Sequence, residues 1–552
     1  MAKSFSPESV GKRGAMPDKR MSAKRSPDAM RLEIFKNIFH SIAEEMGAAL
    51  RRSAFSPNIK ERRDYSCAVY DANGQVLAMG DHMPVHLGSM PASVAAARAA
   101  LHFEAGDIAL LNDPFAGGTH LPDLTLVMPV FIRAKSAPQF FIASRAHHAD
   151  IGGALAGSMG PATEIFQEGF RIPPVKIFRK CELNREVLDL LLANVRTPAE
   201  REGDLAAQIA SCRLGERRLR EVVINYGLPE VHRYAGHLLD YSEKMMRSVL
   251  RSLHPGVYRA NDFLDSDGIS KERLRIRVTI RIHSESILVD FSGSSPQCAG
   301  NINAVSSIAI SAVYYVFRCL VEEEVPATSG LLRPISVITP EGTIVNAQPP
   351  ASVAGGNVET SQRMVDTLLR ALALAAPDKI PAASQGTMNN LTFGGRDPRR
   401  RGSPFTYYET IAGGCGASRE CDGVSASHSH MTNSWNTPIE VFEESYPVRV
   451  CRYAIRRNSG GEGAHRGGEG VIREIEFLTQ VVAGLLTDRR TTAPYGLRGG
   501  HAGKPGRNTL IRKRKISPLL AKCSFTAAPG DILRIETPGG GGWGNPRRNP
   551  KR

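Results

Sequence analysis

From Arg31 onward, Ile34, Phe35, Ile38, Phe39, Ile42 and Met46 recur at three- and four-residue steps, which places one apolar stripe on a long, core-facing helix. The period then shortens. Tyr65–Tyr70 and Gln75–Ala78 are β-prone runs flanking Asp71-Ala-Asn-Gly74, and the Asn-Gly pair predicts a hairpin. Further strands are expected over Asp107–Leu111, Thr125–Ile132 and Gln139–Ser144, the last leading into a polar cluster at His147. Helical spacing dominates from Ala199 to Leu219 and from Val231 to Leu253, and His254-Pro-Gly256 breaks it. Strands follow over Leu274–Ile282 and Ser286–Phe291, then a helix over Ser307–Val321. After Gly386 the chain is rich in Gly, Ser, Asn and Thr, which predicts a β-dominated region with long functional loops.

These elements predict a mixed α+β fold in two lobes. Residues 29–253 form an α/β N-terminal lobe and residues 254–546 a β-rich, Gly-rich C-terminal lobe, with no internal repeat. Residues 1–28 carry Ser, Pro, Lys and Arg without a hydrophobic period and are expected to be a disordered basic extension. Residues 547–552 are a basic tail.

The 552 residues suffice for a large core, and no run of apolar residues is long enough to span a membrane or to act as a secretory signal. A cytoplasmic protein without membrane contact is the expectation. The net charge of +15 raises the question of a nucleic-acid partner. Much of it lies in the two tails and in the short runs Arg399–Arg401 and Arg512–Lys515, with no nucleic-acid motif beside it, so none is expected. Nine cysteines without a Cys-x-x-Cys pair argue against a disulfide framework and against a zinc ribbon. Cys67 and Cys298 match no cysteine-nucleophile motif and read as structural thiols.

The richest constellation is His120-Leu-Pro-Asp123 with His147-His148-Ala-Asp150-Ile-Gly-Gly153. Imidazoles and carboxylates near strand ends, with glycines that admit close backbone approach, supply the mixed N/O donors that Mn²⁺, Zn²⁺ or Fe²⁺ accept. The competing interpretation makes His147 and His148 hydrogen-bonded loop histidines. A further acid lies in Asn58-Ile-Lys-Glu61-Arg-Arg-Asp64, where spacing does not separate Glu61 from Asp64 and a solvated charged loop is the plainer interpretation. None of the Gly-Gly stretches has the form of a phosphate-binding or dinucleotide loop, so ATP binding by this chain alone is not expected. No Gly-x-Ser-x-Gly elbow is present.

Asn112-Asp-Pro-Phe-Ala-Gly-Gly-Thr-His-Leu-Pro-Asp123 and Arg145–Gly153 resemble the hydantoinase B/oxoprolinase family. The likeness extends through Asn58–Cys67, Gln167–Pro173, Phe291–Ser294, Gly356–Arg363, Met431–Glu440, Arg466–Gly468 and Gly539–Pro546, from about residue 30 to residue 546. The resemblance implies a hydantoinase-B-like fold with a metal site in its N-terminal lobe, and an A-type, actin-like ATPase subunit that binds the ATP. Carried onto this chain, the acidic ligand matches Glu61, with Asp64 as the alternative, and the His-x-x-Asp pair matches His120 and Asp123. The last ligand matches His147 or His148, with His147 favoured. Departures are the basic extension and Gly-Trp543-Gly-Asn-Pro546 at the end, where Tyr and Asp are commoner.

The implied activity is ATP-dependent opening of a cyclic amide: a hydantoin, 5-oxoproline or a lactam. The metal would hold a carbonyl or acidify a water, and Asp150 or a nearby acid would shuttle its proton. Ketone carboxylation on the same metal, or a non-catalytic scaffold for the ATPase, are the alternatives.

Overall fold

A computed structural model describes residues 28–132, 137–322 and 324–546. The expected extension up to residue 27 and the tail from residue 547 lie outside the described residues. Asp28 caps the first helix, α1 (Ala29–Ser53), by accepting from the Met30 N–H, and Phe35, Phe39, Ile42, Met46 and Leu50 form its buried stripe. A short helix, α2 (Pro57–Lys60), capped by Ser56, turns the chain into β1 (Tyr65–Asp71) and β2 (Val76–Met79), the expected hairpin. Then follow α3 (Ser89–Ala100), β3 (Ile108–Leu111), β4 (Asp123–Val130), β5 (Phe140–His147), the turn α4 (Ile165–Glu168), β6 (Val175–Arg179), β7 (Glu182–Leu183) and α5 (Arg185–Ala193). The long helices α6 (Pro198–Tyr226) and α7 (Leu228–Ser252) complete this part.

The seven strands pair antiparallel in the order β2-β1-β5-β4-β3-β6-β7. Every residue of β4 and β5 is buried, because both faces of the sheet are covered. Strand alternation sorts their side chains. Leu124, Leu126, Met128, Phe140 and Ile142 join the core with α1 and α6, whereas Val127, Phe141 and Ala143 join Met90, Val94 and Ala97 of α3.

A second sheet, order β11-β10-β9-β8, is built from β8 (Gly256–Leu264), β9 (Leu274–Ile282), β10 (Ile287–Asp290) and β11 (Ile335–Ile338), with α8 (Ser306–Cys319) between the last two strands. The largest core runs without interruption across residues 253 and 254, uniting Leu250 and Leu253 with Leu264 and Ile276. A π-helical turn, Gly356–Thr360, leads into α9 (Ser361–Ala375).

The rest is sheet-rich. It contains β12 (Asn390–Asp397), β13 (Ser403–Glu409), α10 (Ile439–Ser445), β14 (Val448–Arg456), β15 (Gly470–Phe477), β16 (Val481–Leu486), β17 (Arg507–Arg512), β18 (Lys515–Pro518), β19 (Lys522–Ala527) and β20 (Ile532–Glu536). They form two sheets, β13-β12-β16-β19 and β14-β15-β20-β17-β18, that share a core of Leu391, Phe393, Tyr407, Phe442, Phe477 and Ile535. The glycine-rich stretches expected to be functional loops pack backbone on backbone here: a Cβ on Gly540 would lie 1.9 Å from the Cys415 carbonyl oxygen. Among the described residues, no helix is long and apolar enough to cross a membrane.

Candidate metal centre

The sheet register builds the centre. Asp123 and His147 are paired residues at the ends of β4 and β5, and the His147 N–H donates to the Asp64 carbonyl just before β1. Tyr65 pairs with Ala146, so Asp64, His147 and Asp123 form a row across three neighbouring strands, with side chains on the face that also carries Arg145. Pro122 ends the loop before β4, and His120, three residues ahead of Asp123, returns to it with Nε2 3.3 Å from Oδ1. The His120 and His147 rings lie 5.0 Å apart between centroids, edge to face.

Distant segments hold this row in place. Thr119 Oγ1 donates to Asp123 Oδ2. His86, on the 3₁₀ turn Pro84–His86, bridges Ser66 Oγ (2.8 Å) and Asp123 Oδ2 (3.5 Å). Tyr408 of β13 stacks on His147 at 4.5 Å, 8° from parallel, and the Arg62 guanidinium lies over the Tyr408 ring. Arg62 donates to Asn58 Oδ1, which turns the Asn58 amide nitrogen to His147 Nδ1 at 3.0 Å. Asn357, in the π turn, places its amide nitrogen 3.1 Å from His120 Nε2. Beneath the row, the buried Arg145 donates to the hydroxyls of Ser89, Ser93 and Thr125.

Burial and neighbouring charge set the electrostatics. Burial raises the Asp64 carboxyl to about 6, against the lowering effect of Arg62, and Asp123 adds to the rise. Asp123 is buried too, yet His120 and His86 hold its carboxyl well below the usual range. Burial, reinforced by His120, keeps His147 neutral far below the ordinary histidine range.

Three expected residues stand elsewhere. Glu61 is the partly exposed C-cap of α2, and its side chain enters no hydrogen bond or ion pair among the described residues; the row receives Asp64 instead. His148 follows His147 and points to the opposite face, where Nε2 meets Gln208 Oε1 of α6 at 2.9 Å. Asp150 accepts from the backbone N–H groups of Gly152, Gly157 and Arg196 and pairs with the Arg196 guanidinium at 2.8 Å, so both its oxygens serve the loop. Among the described residues, Asp150 makes no hydrogen bond or ion pair to the row.

Among the described residues, no three His, Cys, Asp or Glu side chains are already gathered as a cage for a metal ion. The donors nevertheless suit one. Two carboxylates and two imidazoles form an N/O set for a first-row divalent ion, and among the described residues His120 Nδ1 and His147 Nε2 are buried without a hydrogen-bond partner.

A family model described as hydantoinase B/oxoprolinase matches residues 28–546. The chain belongs to the hydantoinase B/oxoprolinase family. It is 39% identical to 5-oxoprolinase 1 of Arabidopsis thaliana over 556 residues, which cover 95% of this chain and 42% of that protein. The chain thus spans less than half the length of this curated relative. The ATP-dependent caprolactamase of Pseudomonas jessenii superposes with a TM-score of 0.88 at 30% identity, covering 95% of this chain and 92% of that one. An acetone carboxylase reaches a TM-score of 0.86 at 19% identity over 94% of this chain and 76% of that one, which shows a common fold.

In this hydantoinase B/oxoprolinase chain, sequence spacing does not show His86, Asn58, Tyr408 or Asn357 as parts of the centre. His86 and Tyr408 reach it through tertiary packing and carry no local signal. Asn58 and Asn357 lie inside stretches that carry the family resemblance, Asn58–Cys67 and Gly356–Arg363, which was the one available pointer.

Proposed function

We propose that this chain is the metal-binding subunit of an ATP-dependent cyclic-amide hydrolase, acting with a separate actin-like ATPase chain. The observation that carries the reading is the fully buried row Asp64–His147–Asp123 with His120, in a chain that aligns with an ATP-dependent caprolactamase over nearly its whole length. The 5-oxoprolinase relative is more than twice as long, so this chain corresponds to only part of that protein. No Gly-x-x-x-x-Gly-Lys-Ser/Thr loop occurs in this chain, in keeping with ATP being bound by that partner.

Asp64, His120, Asp123 and His147 would hold the ion, in place of the set built on Glu61. Bound there, a divalent metal supplies Lewis-acid polarisation of a carbonyl or a more acidic water. The chain's own residues pre-arrange the donors. Tyr408 and Asn58 fix the plane and rotation of the His147 ring, Thr119 and His86 fix Asp123, and Asn357 fixes His120. Burial excludes bulk water, which strengthens every charge–dipole interaction in the centre.

Co-expression with an A-type ATPase chain, followed by assay on hydantoin, 5-oxoproline, caprolactam and acetone with ATP consumption recorded, tests the reading. Ring opening coupled to ATP loss on a cyclic amide is expected. Carboxylation of acetone without any ring opening would replace the hydrolase with the ketone carboxylase.

A further inference from the structure

The segment Ser427–Trp435 runs along the side of the centre and is pinned to each part of it. Ser429 O accepts from Gln362 Nε2 of α9 (2.9 Å), and Met431 O accepts from the N–H of Val85, beside His86. Asn433 Nδ2 donates to His82 O, and the Trp435 N–H donates to Arg62 O, two residues before Asp64. His428 therefore belongs to this wall although it is far from the cluster in sequence. Its imidazole is held neutral, with a pKa near 4, by burial and by the Arg62 charge.

Along this wall and the neighbouring π turn and start of α9, several polar atoms are shielded from solvent without a partner among the described residues. They include both ring nitrogens of His428, Ser429 Oγ, Gln362 Oε1 and Asn357 Oδ1. Gln362 is 0% exposed and Asn357 4%. Folded proteins pair nearly all such groups, so a cluster of unpaired ones calls for a partner, a water or a ligand. Their polarity is defined. The Gln362 amide nitrogen is taken by Ser429 O and that of Asn357 faces His120, so both amides present carbonyl oxygens. Neutral His428 offers one N–H and one acceptor nitrogen, and Ser429 Oγ can do either. The π turn beginning at Gly356 sets Asn357 and Gln362 closer to one side of the helix than α-helical winding would.

Two acceptors and a neutral donor beside a metal-type donor row match the edge of a small ring that carries N–H next to C=O. We propose that Asn357, Gln362, His428 and Ser429 form the ring-recognition subsite. The amide oxygens accept the ring N–H, and His428 donates to a ring carbonyl. This rests on the cyclic-amide reading above and adds the residues that select the ring.

Calorimetric titration of the full chain with hydantoin, 5-oxoproline, caprolactam and cyclopentanone tests it. Cyclopentanone keeps a carbonyl on a small ring but lacks the N–H. The tightest-binding cyclic amide should bind at least about tenfold more tightly than cyclopentanone, the worth of one neutral hydrogen bond. Gln362→Leu should weaken that amide about tenfold and leave cyclopentanone unchanged, whereas His428→Leu should weaken both about tenfold, because both carry the carbonyl to which His428 donates. His428→Gln, which retains a donor and an acceptor, should recover most of the loss, and the smaller change Ser429→Ala serves if either Leu variant fails to fold. Unchanged amide affinity in folded variants overturns the subsite and means that these atoms are served by water only, while the ring-opening reading stands. A wild-type chain that binds no cyclic amide, and opens none when assembled with its ATPase, overturns both.

Discussion

Asp123 and His147 face each other as paired residues at the ends of β4 and β5, and Asp64, just before the strand beyond β5, lies level with them. This row decides between the two acids that precede β1. Asp64 is brought to the centre by the sheet, whereas Glu61 ends a helix and is partly exposed. Asp64→Asn should therefore lower bound metal at least about tenfold, the usual scale for a lost or weakened ligand. Glu61→Gln should leave metal content unchanged, and elemental analysis of the two purified variants checks the contrast. Equal loss in both would put Glu61 back among the ligands.

Asp150 supports structure by four hydrogen bonds, two within the loop after β5 and two from Arg196 between α5 and α6. Asp150→Asn removes the charge partner of Arg196 and one acceptor oxygen, which should cost roughly 1–3 kcal/mol of stability. Urea unfolding measures that loss. The folded variant should keep the wild-type pH profile of ring opening, which a proton shuttle would not.

Glu168 gives a pH dependence of opposite sign to that of an ordinary ion-paired acid. It is buried, its Oε1 accepts from the Val353 and Ala354 N–H groups, and burial raises its carboxyl to about 8. Between the unfolded value near 4.5 and about 8, the native state keeps the proton and the unfolded state has released it. Stability from this group therefore falls as pH rises through that window. Glu168→Gln keeps the accepting oxygen and removes the titration, so its stability relative to wild type should grow from pH 5 to pH 8 by on the order of a few kcal/mol. A difference independent of pH in parallel unfolding curves would contradict the protonated native carboxyl.

The sequence made legible what has a local period. The stripe from Phe35 to Leu50, the Asn-Gly hairpin, the two long helices and the strand carrying Asp123 all appear near their expected places, because amphipathic spacing and turn chemistry act within a few residues. The His-x-x-Asp pair is equally local. What escaped is set by long-range pairing: β1 lies beside β5, which alone brings Asp64 level with His147. The same holds for Tyr408 and His428, whose distance from the cluster in sequence says nothing of their place around Arg62. Strand parity did carry one unused clue. His147 and His148 must point to opposite faces, so both cannot serve one centre.

His120→Ala is the most direct test of the metal-dependent centre. The substitution removes the imidazole that lies 3.3 Å from Asp123 and leaves the two buried carboxylates, Asp64 and Asp123, with one ligand fewer to share an ion. His283→Ala, an exposed histidine between β9 and β10, is the control. Each variant is co-purified with an A-type ATPase chain, and metal content and ATP-coupled ring opening are measured on the same preparation. His120→Ala should lose the bulk of its metal and its ring opening while still assembling, and His283→Ala should match wild type in both. Near wild-type ring opening by a metal-depleted His120→Ala complex would contradict the centre and leave the chain a scaffold for the ATPase.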